Sequence, residues 1–155
     1  MTTTITSATL TVELKETIEL NGMDQGSTNT LTIGSVNEIF KRIVTVTTSE
    51  AEILAFGTAA ASGTLVEADV KYIRLTNLDD TNHIVLTFKC DGNHEFAVKL
   101  DKGQSFIYNG DLSGGLVDTM DASASALTVD LVDLVNITAD ADSASCDMEI
   151  FVAST

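Results

Sequence analysis

Apolar and polar residues alternate along most of this chain, and this period of two constrains its fold more than any other feature. Successive side chains of a β-strand point to opposite faces, so the pattern predicts half-buried strands. In residues 10–20 one side carries Leu10, Val12, Leu14, Ile18 and Leu20. Glu16 interrupts that inward side and predicts a β-bulge. The turn cluster NGMDQGS closes the strand, and TNTLTI predicts the strand that returns.

The segment SVNEIFKRIVTVTT, residues 35–48, fits two local structures. Ser35 and Glu38 have the spacing of a helical capping box, and the apolar residues that follow suit one helical face. The β-branched run IVTVTT favours a long strand instead, because such side chains pack well on a pleated surface. We expect the strand, followed by a turn at TSEAE, a returning strand at ILAFG and a small-residue loop at TAAASG.

Residues 70–109 contain four predicted strands separated by the turn sequences LDDTN, DGN and DKG. The residues expected to face inward are Ile73, Leu75, Ile84, Leu86, Phe88, Cys90, Phe96, Val98, Leu100, Phe106 and Tyr108. Asp-Gly and Lys-Gly sequences supply the left-handed position that a tight hairpin needs. Three consecutive hairpins predict an antiparallel meander within one sheet.

The C-terminal part of the chain predicts two more strands after a loop at residues 116–126. The first, LTVDLVDLVNIT (residues 127–138), alternates on one face, while Val132 and Leu134 make its second face partly apolar. A strand that is apolar on both faces is covered on both, and another subunit is one candidate for that cover. The second, CDMEIFVA, points Cys146, Met148, Ile150 and Val152 inward.

These segments add up to nine or ten short strands with no convincing helix and no proline. A chain of 155 residues is typical of one domain. The fold class we expect is therefore an all-β, antiparallel β-sandwich of jelly-roll type. Residues 10–155 form this domain, and the Thr- and Ser-rich residues 1–9 are expected to form a flexible N-terminal arm.

The charge of the chain limits its partners. Twenty-three acidic against eight basic residues give a net charge of −15, which disfavours nucleic acid and anionic membrane surfaces. Lys102 is the last basic residue, so the final 53 residues contain nine acidic residues and no compensating cation. These acidic residues could face water, a basic partner or a divalent ion, and we expect that they face water. We recognise no signal peptide and no apolar run of about 18 residues, so we expect a soluble protein made in a cytoplasm.

Several residues suited to chemistry fit simpler explanations better. His83 and His94 flank the predicted hairpin and could approach one another across the DGN turn. Cys90 and Asp91 are nearby, but no repeated metal-ligand spacing accompanies them. Asp79 and Asp80 are a possible acid–base pair, yet Asp in a turn usually binds its own backbone. We expect surface histidines and a structural turn.

The remaining candidates lead to the same conclusion. Asp140 and Asp142 are two residues apart, as in calcium loops, but the glycine and final glutamate of an EF-hand are missing. No serine lies in a G-x-S-x-G elbow. Cys90 and Cys146 fall on apolar sides of strands, which indicates buried thiols, although a bridge between them stays open. We predict no catalytic, cofactor-binding or metal-binding residues, and no enzyme.

Part of the chain resembles a known class of proteins. VKYIRLTNLDDTNHIVLTF, followed by FAVKLDKGQSFIYN, is similar to a segment of small structural proteins of tailed bacteriophages, especially those of aquatic bacteria. In those proteins a YIRLTN strand, an Asp-rich turn and a hairpin lie within a jelly roll or a related β-sandwich. The similarity covers about forty residues well, and the preceding EIFKRIVTVTTSEAEILAFGT less well.

The resemblance implies a head decoration, or cement, protein that docks as a homotrimer on the major capsid protein at the virion exterior. A tail or neck component is the structural alternative. A carbohydrate-binding jelly-roll module is an alternative of another class, with Tyr72 and Tyr108 as its aromatic residues, since tryptophan is absent. The N-terminal arm could add a strand to a neighbouring subunit.

Overall fold

A computed structural model describes residues 4–91, 94–110, 112, 114–118 and 132–155. Within them the chain forms fourteen strands: β1 (Ala8–Glu16), β2 (Glu19–Leu20), β3 (Met23–Asp24), β4 (Ser27–Val36), β5 (Glu38–Val46), β6 (Ala51–Gly57), β7 (Thr64–Val66), β8 (Val70–Asn77), β9 (Ile84–Cys90), β10 (Glu95–Leu100), β11 (Ser105–Asn109), β12 (Val117–Asp118), β13 (Val132–Ala141) and β14 (Cys146–Ser154). None of the described segments is a helix long and apolar enough to cross a membrane.

Two sheets built from eight of these strands form the body of the protein. The first sheet has the order β5-β14-β8-β11, and the second contains the order β6-β13-β9-β10. β7 extends the second sheet by pairing in parallel with β6, and β12 pairs with β13. The remaining pairs between described strands are antiparallel. The predicted all-β antiparallel sandwich is confirmed.

The core lies between the two sheets, where the inward side of each strand is apolar as the alternation predicts. Its fully buried members on the first sheet are Val70, Ile73, Leu75, Cys146, Met148, Ile150 and Val152, and those on the second are Ile84, Leu86, Phe88 and Ile137. Phe88 stacks on Phe96 with ring centroids 4.5 Å apart, and Phe106 lies 5.1 Å away. This cluster joins the two sheets.

A long hairpin precedes the sandwich, and we call residues 8–36 the ribbon. β1 pairs with β4 from Ala8 opposite Val36 to Glu16 opposite Ser27, and β2 pairs with β3 at the far end. Asn21 and Gly22 have φ angles of 53° and 76°. Positive φ at both central residues is what a two-residue type I′ turn requires, and Asn-Gly is the preferred sequence for it. The ribbon is therefore one extended β-hairpin.

The predicted meander over residues 70–109 is wrong. β9 and β10 form a hairpin in the second sheet, but β8 and β11 pair with each other in the first. The segments before β9 and after β10 thus carry the chain from one sheet to the other. Alternation shows which side chains share a face, and it does not distinguish a turn within a sheet from a crossing between two sheets.

Irregular pairing of β13 explains why the sequence pattern placed apolar residues on both faces of this strand. Its pairing with β9 shifts register between Leu134 and Asn136, and its pairing with β6 shifts between Ile137 and Thr138. Leu134 and Ile137 are both buried, whereas Val135 between them is 37% exposed. A bulge adds one residue and reverses the alternation. The bulge therefore accounts for the burial of Leu134, which the alternation had placed on the second face.

Other boundaries differ from the predictions by a few residues. Residues 35–48 contain strand β5 as expected, and residues 8 and 9 of the predicted arm belong to β1. The bulge expected at Glu16 is instead an interruption of the strand at residues 17–18. Val117 and Asp118 form a short strand where a loop was predicted. Residues 1–3 of the arm, 119–126 of that loop and 127–131 of the next strand lie outside the described residues.

Candidate interaction surface

The outer face of the first sheet is apolar, and the near half of the ribbon covers it. Tyr72 of β8 and Phe151 of β14 meet edge to face, with ring centroids 6.0 Å apart at 73°. Ile33 and Val36 of β4 are buried against Tyr72 in a second apolar cluster. This cluster lies on the opposite side of the first sheet from the main core, so the ribbon is a third layer of the protein.

The outer face of the second sheet is polar. Glu50 accepts hydrogen bonds from Lys89 of β9 and from Thr138 of β13, the latter at 2.6 Å. The side-chain amide of Asn136 donates to Glu52 at 3.0 Å. The hydrogen bond from Lys89 is the largest cause of the lowered pKa of Glu50. Such a surface is well solvated, so the two broad faces of the sandwich differ sharply in chemistry.

The far half of the ribbon extends beyond the sandwich. Every residue from 13 to 30 except Gly26 is exposed. Leu14, Ile18, Leu20 and Met23 are 47%, 53%, 60% and 65% exposed. Leu14 follows Leu10 and Val12 on the face of β1 that packs on the sheet. The apolar face of the ribbon therefore continues past the surface that it covers.

A second apolar area lies on β5, the edge strand of the first sheet. Ile39 and Ile43 are 51% and 63% exposed. They stand opposite Ala153 and Glu149 of β14 and share the outer face with Lys41. Lys41 forms an ion pair with Glu149 at 3.4 Å. Ile39 lines a groove with Leu10 and Val36 at the start of the ribbon, whereas Ile43 is not part of that groove.

Grooves run along both sides of the ribbon where it crosses the first sheet. One of 450 Å³ lies beside β1 and is lined by Leu14, Tyr72, Arg74, Ile107 and Phe151, among others. The other, of 200 Å³, lies beside β4 and also includes Leu14 and Ile107. Ile107 belongs to β11, the edge strand opposite β5. The ribbon therefore leaves the sheet over the β11 edge.

The pair Asp79 and Asp80 is a structural turn, as predicted. The carboxylate of Asp79 accepts hydrogen bonds from the backbone N–H groups of Asn82 at 2.6 Å and Thr81 at 2.7 Å. These two bonds lower the pKa of Asp79. Asp80 accepts a hydrogen bond from the Thr81 hydroxyl at 2.9 Å.

The two histidines lie far apart. His83 precedes β9, and His94 pairs through its carbonyl with the N–H of Cys90 at the other end of that strand. Seven residues of extended strand separate the two ends by roughly 20 Å. The predicted approach of the two histidines is therefore wrong, because they lie at opposite ends of β9.

The cysteines lie at the same two ends of β9. Cys146 is buried beside the backbone of Ala144 and His83, and Cys90 is buried at the far end. The separation, again roughly 20 Å, exceeds the reach of a disulfide. Both side chains belong to the main core, as the apolar parity predicted. Burial is the first cause of the raised pKa of the Cys146 thiol.

The acidic residues of the C-terminal part do not form a metal site in the part of the chain that the structure describes. Asp142 lies 3.5 Å from the Nδ1 atom of His83, and Asp140 stands opposite Val85 in β13. Among the described residues no three His, Cys, Asp or Glu side chains converge as metal ligands.

The two tyrosines do not form an exposed aromatic platform. Tyr72 is 4% exposed beneath the ribbon. Tyr108 lies against the main core, with its ring centroid 6.1 Å from that of Phe88.

Leu14, Ile18 and Leu20 were predicted on an inward side, and their exposure was missed. The signal lay in the partner strand: β4 opposes Leu14 with Asn29 and Glu16 with Ser27. A returning strand that offers Asn and Ser to an apolar face cannot bury it. The sequence carries no comparable signal for the exposure of the outer face of β5, because that exposure depends on where the ribbon crosses the sheet.

Comparisons with known proteins do not identify a family. No protein-family model and no curated protein matches the chain. One similar solved structure is that of Bacillus endospore appendages, which are described as "a novel family of disulfide-linked pili". It is 11% identical, with a TM-score of 0.45, over 76% of this chain and 85% of that one. A similarity of this degree does not establish a shared function.

Proposed function

We propose that the protein is a bacteriophage virion structural protein, a decoration protein that stabilises the head by docking as a trimer on its exterior. The observation that carries this proposal is the far half of the ribbon, which exposes four large apolar side chains on a projecting hairpin. Apolar surface displayed in this way marks an interaction site. The resemblance over residues 70–109 supports a virion as the place of that interaction.

The action of such a protein is mechanical. Each copy buries apolar surface against neighbouring copies and against the major capsid protein, and a stable interface of this kind buries about 800 Å² on each partner. Linked copies bind the shell with higher avidity than one copy, since each further contact forms at high effective concentration. The net charge of −15 suits contacts with an apolar centre and a polar rim better than contacts with nucleic acid.

We also propose that the sandwich is a jelly roll. The order of its eight strands supports this: β5 and β14 are neighbours, as are β6 and β13, β8 and β11, and β9 and β10. The early strands of the fold thus pair with late ones in a nested series, and the chain crosses between the two sheets at each connection of this series except the β9–β10 hairpin. Double Greek-key sandwiches have this kind of connectivity.

A tail or neck component is the second structural candidate, because the same exposed ribbon suits either location. The carbohydrate-binding alternative has less support, since Tyr72 is buried beneath the ribbon and Tyr108 packs against the main core. A glycan whose binding is lost in Tyr108→Ala but retained in Phe151→Ala would revive it.

Purified phage particles test the proposal directly. We expect mass spectrometry to find the protein in virions, and cryo-electron microscopy to place it on the outer surface of the head. Purified protein added to heads that lack it should bind and raise their resistance to heat. Its absence from virions would contradict a structural role, and density at the tail or neck would favour the second candidate.

A further inference from the structure

We propose that the far half of the ribbon of one copy docks on the outer face of β5 in a second copy. This proposal rests on the proposed function, in which copies of the protein associate, and it names the two surfaces through which they do so. The first, the ribbon tip, comprises residues 14–23. The second, the β5 face, comprises Ile39, Lys41 and Ile43.

The contact continues an interface that already exists within the chain. The near half of the ribbon packs its apolar face on the outer face of the first sheet, against β11, β8 and β14. The β5 face belongs to the same outer face of the same sheet and is more than half exposed, although Ile39 borders the start of the ribbon. The ribbon tip belongs to the ribbon that makes this contact. Within one chain the ribbon packs on the outer face of the first sheet. The ribbon tip and the β5 face are the exposed continuations of these two packing surfaces.

The two surfaces lie at opposite edges of the sheet. The ribbon leaves the sheet over β11, and β5 is the strand at the other edge. A ribbon tip therefore cannot fold back on the β5 face of its own chain, whereas it can reach that of a neighbour placed beside it. Such a contact is heterologous, and repeated copies of it close into a ring or continue as a filament.

The charges of the two surfaces are complementary. In the ribbon, Glu16 lies between Leu14 and Ile18, and in β5 Lys41 lies between Ile39 and Ile43. Both surfaces therefore read apolar, charged, apolar at alternate positions, with opposite charges at the centre. Glu19 adds a negative charge to the ribbon tip, which also contains Lys15. Arg42 lies on the other face of β5, beside Phe40, and takes no part in the β5 face. Complementary charges of this kind fix the register of an interface and exclude wrong pairings.

Sedimentation of the full-length protein over a range of concentrations tests this contact. We expect Ile18→Ser and Ile43→Ser each to weaken self-association at least tenfold. Leu78→Ser is the matched control, because Leu78 is 47% exposed just after β8 and belongs to neither surface, so its change should have no effect. Circular dichroism verifies that each variant is folded. A wild-type protein that stays monomeric, or an Ile43→Ser variant that associates normally, would overturn the proposal.

A charge exchange tests the pairing of the two surfaces. Glu16→Lys and Lys41→Glu each place like charges opposite each other and should weaken association, while the double variant should restore it. Glu149 keeps its bond to Arg74 when Lys41 is changed, so the sheet retains that pair. A double variant no better than the single ones would contradict the assignment.

Cross-linking provides a direct measure of proximity. A mixture of Glu16→Cys and Lys41→Cys proteins should form a mixed disulfide on mild oxidation, because the two native cysteines are buried. A mixture of Glu16→Cys and Lys102→Cys is the control and should not. Disulfides between two Glu16→Cys copies would show ribbon-to-ribbon pairing and overturn the proposal. These assays need no phage particles, so loss of the contact between copies can be told apart from loss of binding to the phage head. If the copies form a filament, the proposed trimer is contradicted, but the contact between the ribbon tip and β5 is not.

Discussion

The side-chain amide of Asn77 donates hydrogen bonds to the carbonyl oxygens of Leu100, at 3.2 Å, and of Asn82, at 2.9 Å. Its side-chain oxygen accepts the N–H of Asp79 at 2.9 Å. Asn77 is fully buried at the end of β8, and Leu100 ends β10 in the other sheet. One side chain thus ties the two sheets together at the point where the chain crosses between them.

Asn77→Leu should lower the free energy of unfolding by about 2–4 kcal/mol, because it leaves buried backbone groups without partners. Urea unfolding monitored by circular dichroism measures the change. Asn82→Ala is the control: its side chain accepts an exposed hydrogen bond from Ser143, so we expect less than about 1 kcal/mol. Equal losses in the two variants would show that burial of the Asn77 amide is unimportant.

Phe88 is the central aromatic residue of the main core. It is fully buried and contacts the rings of Phe96, Phe106 and Tyr108. Phe88→Ala should reduce stability by about 3–5 kcal/mol, since it removes apolar burial and leaves a cavity. Thermal unfolding measures the loss, and Val135→Ala at the exposed bulge provides a near-neutral control. A loss below about 1 kcal/mol at Phe88 would contradict the packing described.

Gly115 and Gly34 form a matched pair of glycines. Gly115 has φ +81°, and a Cβ atom there would lie 2.2 Å from the backbone oxygen of Glu67. Gly34 has open space around it. Gly115→Ala should therefore destabilise the protein by about 2 kcal/mol or more, and Gly34→Ala by less than about 0.5 kcal/mol. Chemical denaturation of both variants decides this, and similar losses would contradict the close approach at Gly115.

Asp79 should contribute to acid sensitivity. Its pKa in the folded protein is lowered from the ordinary value of 3.8 by hydrogen bonds from Asn82 and Thr81. The ionised group therefore stabilises the fold above pH 3.8, and this contribution is lost as the pH falls through the lowered value. Asp79→Asn should be less stable than wild type at about pH 7 and equally stable near pH 2. Urea midpoints against pH measure this, with Asp80→Asn as the control.

Glu67 should act in the opposite direction. Burial, followed by the charges of Asp133 and Asp91, raises its pKa above the ordinary value of 4.5. The charged form therefore opposes folding above the raised value, and this effect disappears as the pH falls below 4.5. Glu67→Gln should raise stability at about pH 7 by a few tenths of a kcal/mol and change nothing near pH 3. A variant less stable than wild type at neutral pH would reverse the assigned sign.

The sequence predicted side-chain faces better than strand partners. Ile73, Leu86 and Val152 lie in the core because alternation identifies the inward face of a strand wherever its pairing stays regular. It fails at Val135, where one extra residue reverses the parity. It also cannot tell that β8 pairs with β11 instead of β9, since both arrangements bury the same residues.

The candidate surface was harder to predict than the core. Leu20 and Ile150 have the same apolar character and the same alternating neighbours, yet one projects into solvent and the other is fully buried. Their difference depends on how far the ribbon extends beyond the sheet, a long-range property that local pattern does not encode. The turn of Asp79, by contrast, was predictable because its hydrogen bonds join residues within three positions.

The position of β14 between β5 and β8 has a consequence for biosynthesis. Glu38 stands opposite Ser154, which lies 116 positions later in the chain, and such distant pairing slows folding. A ribosome must translate β14 before β5 acquires its neighbour in the sheet. The ribbon hairpin pairs locally and can form much earlier. A nascent chain therefore presents the ribbon hairpin before its own first sheet is complete, so under the proposed contact two nascent chains cannot dock on each other until β14 has been translated.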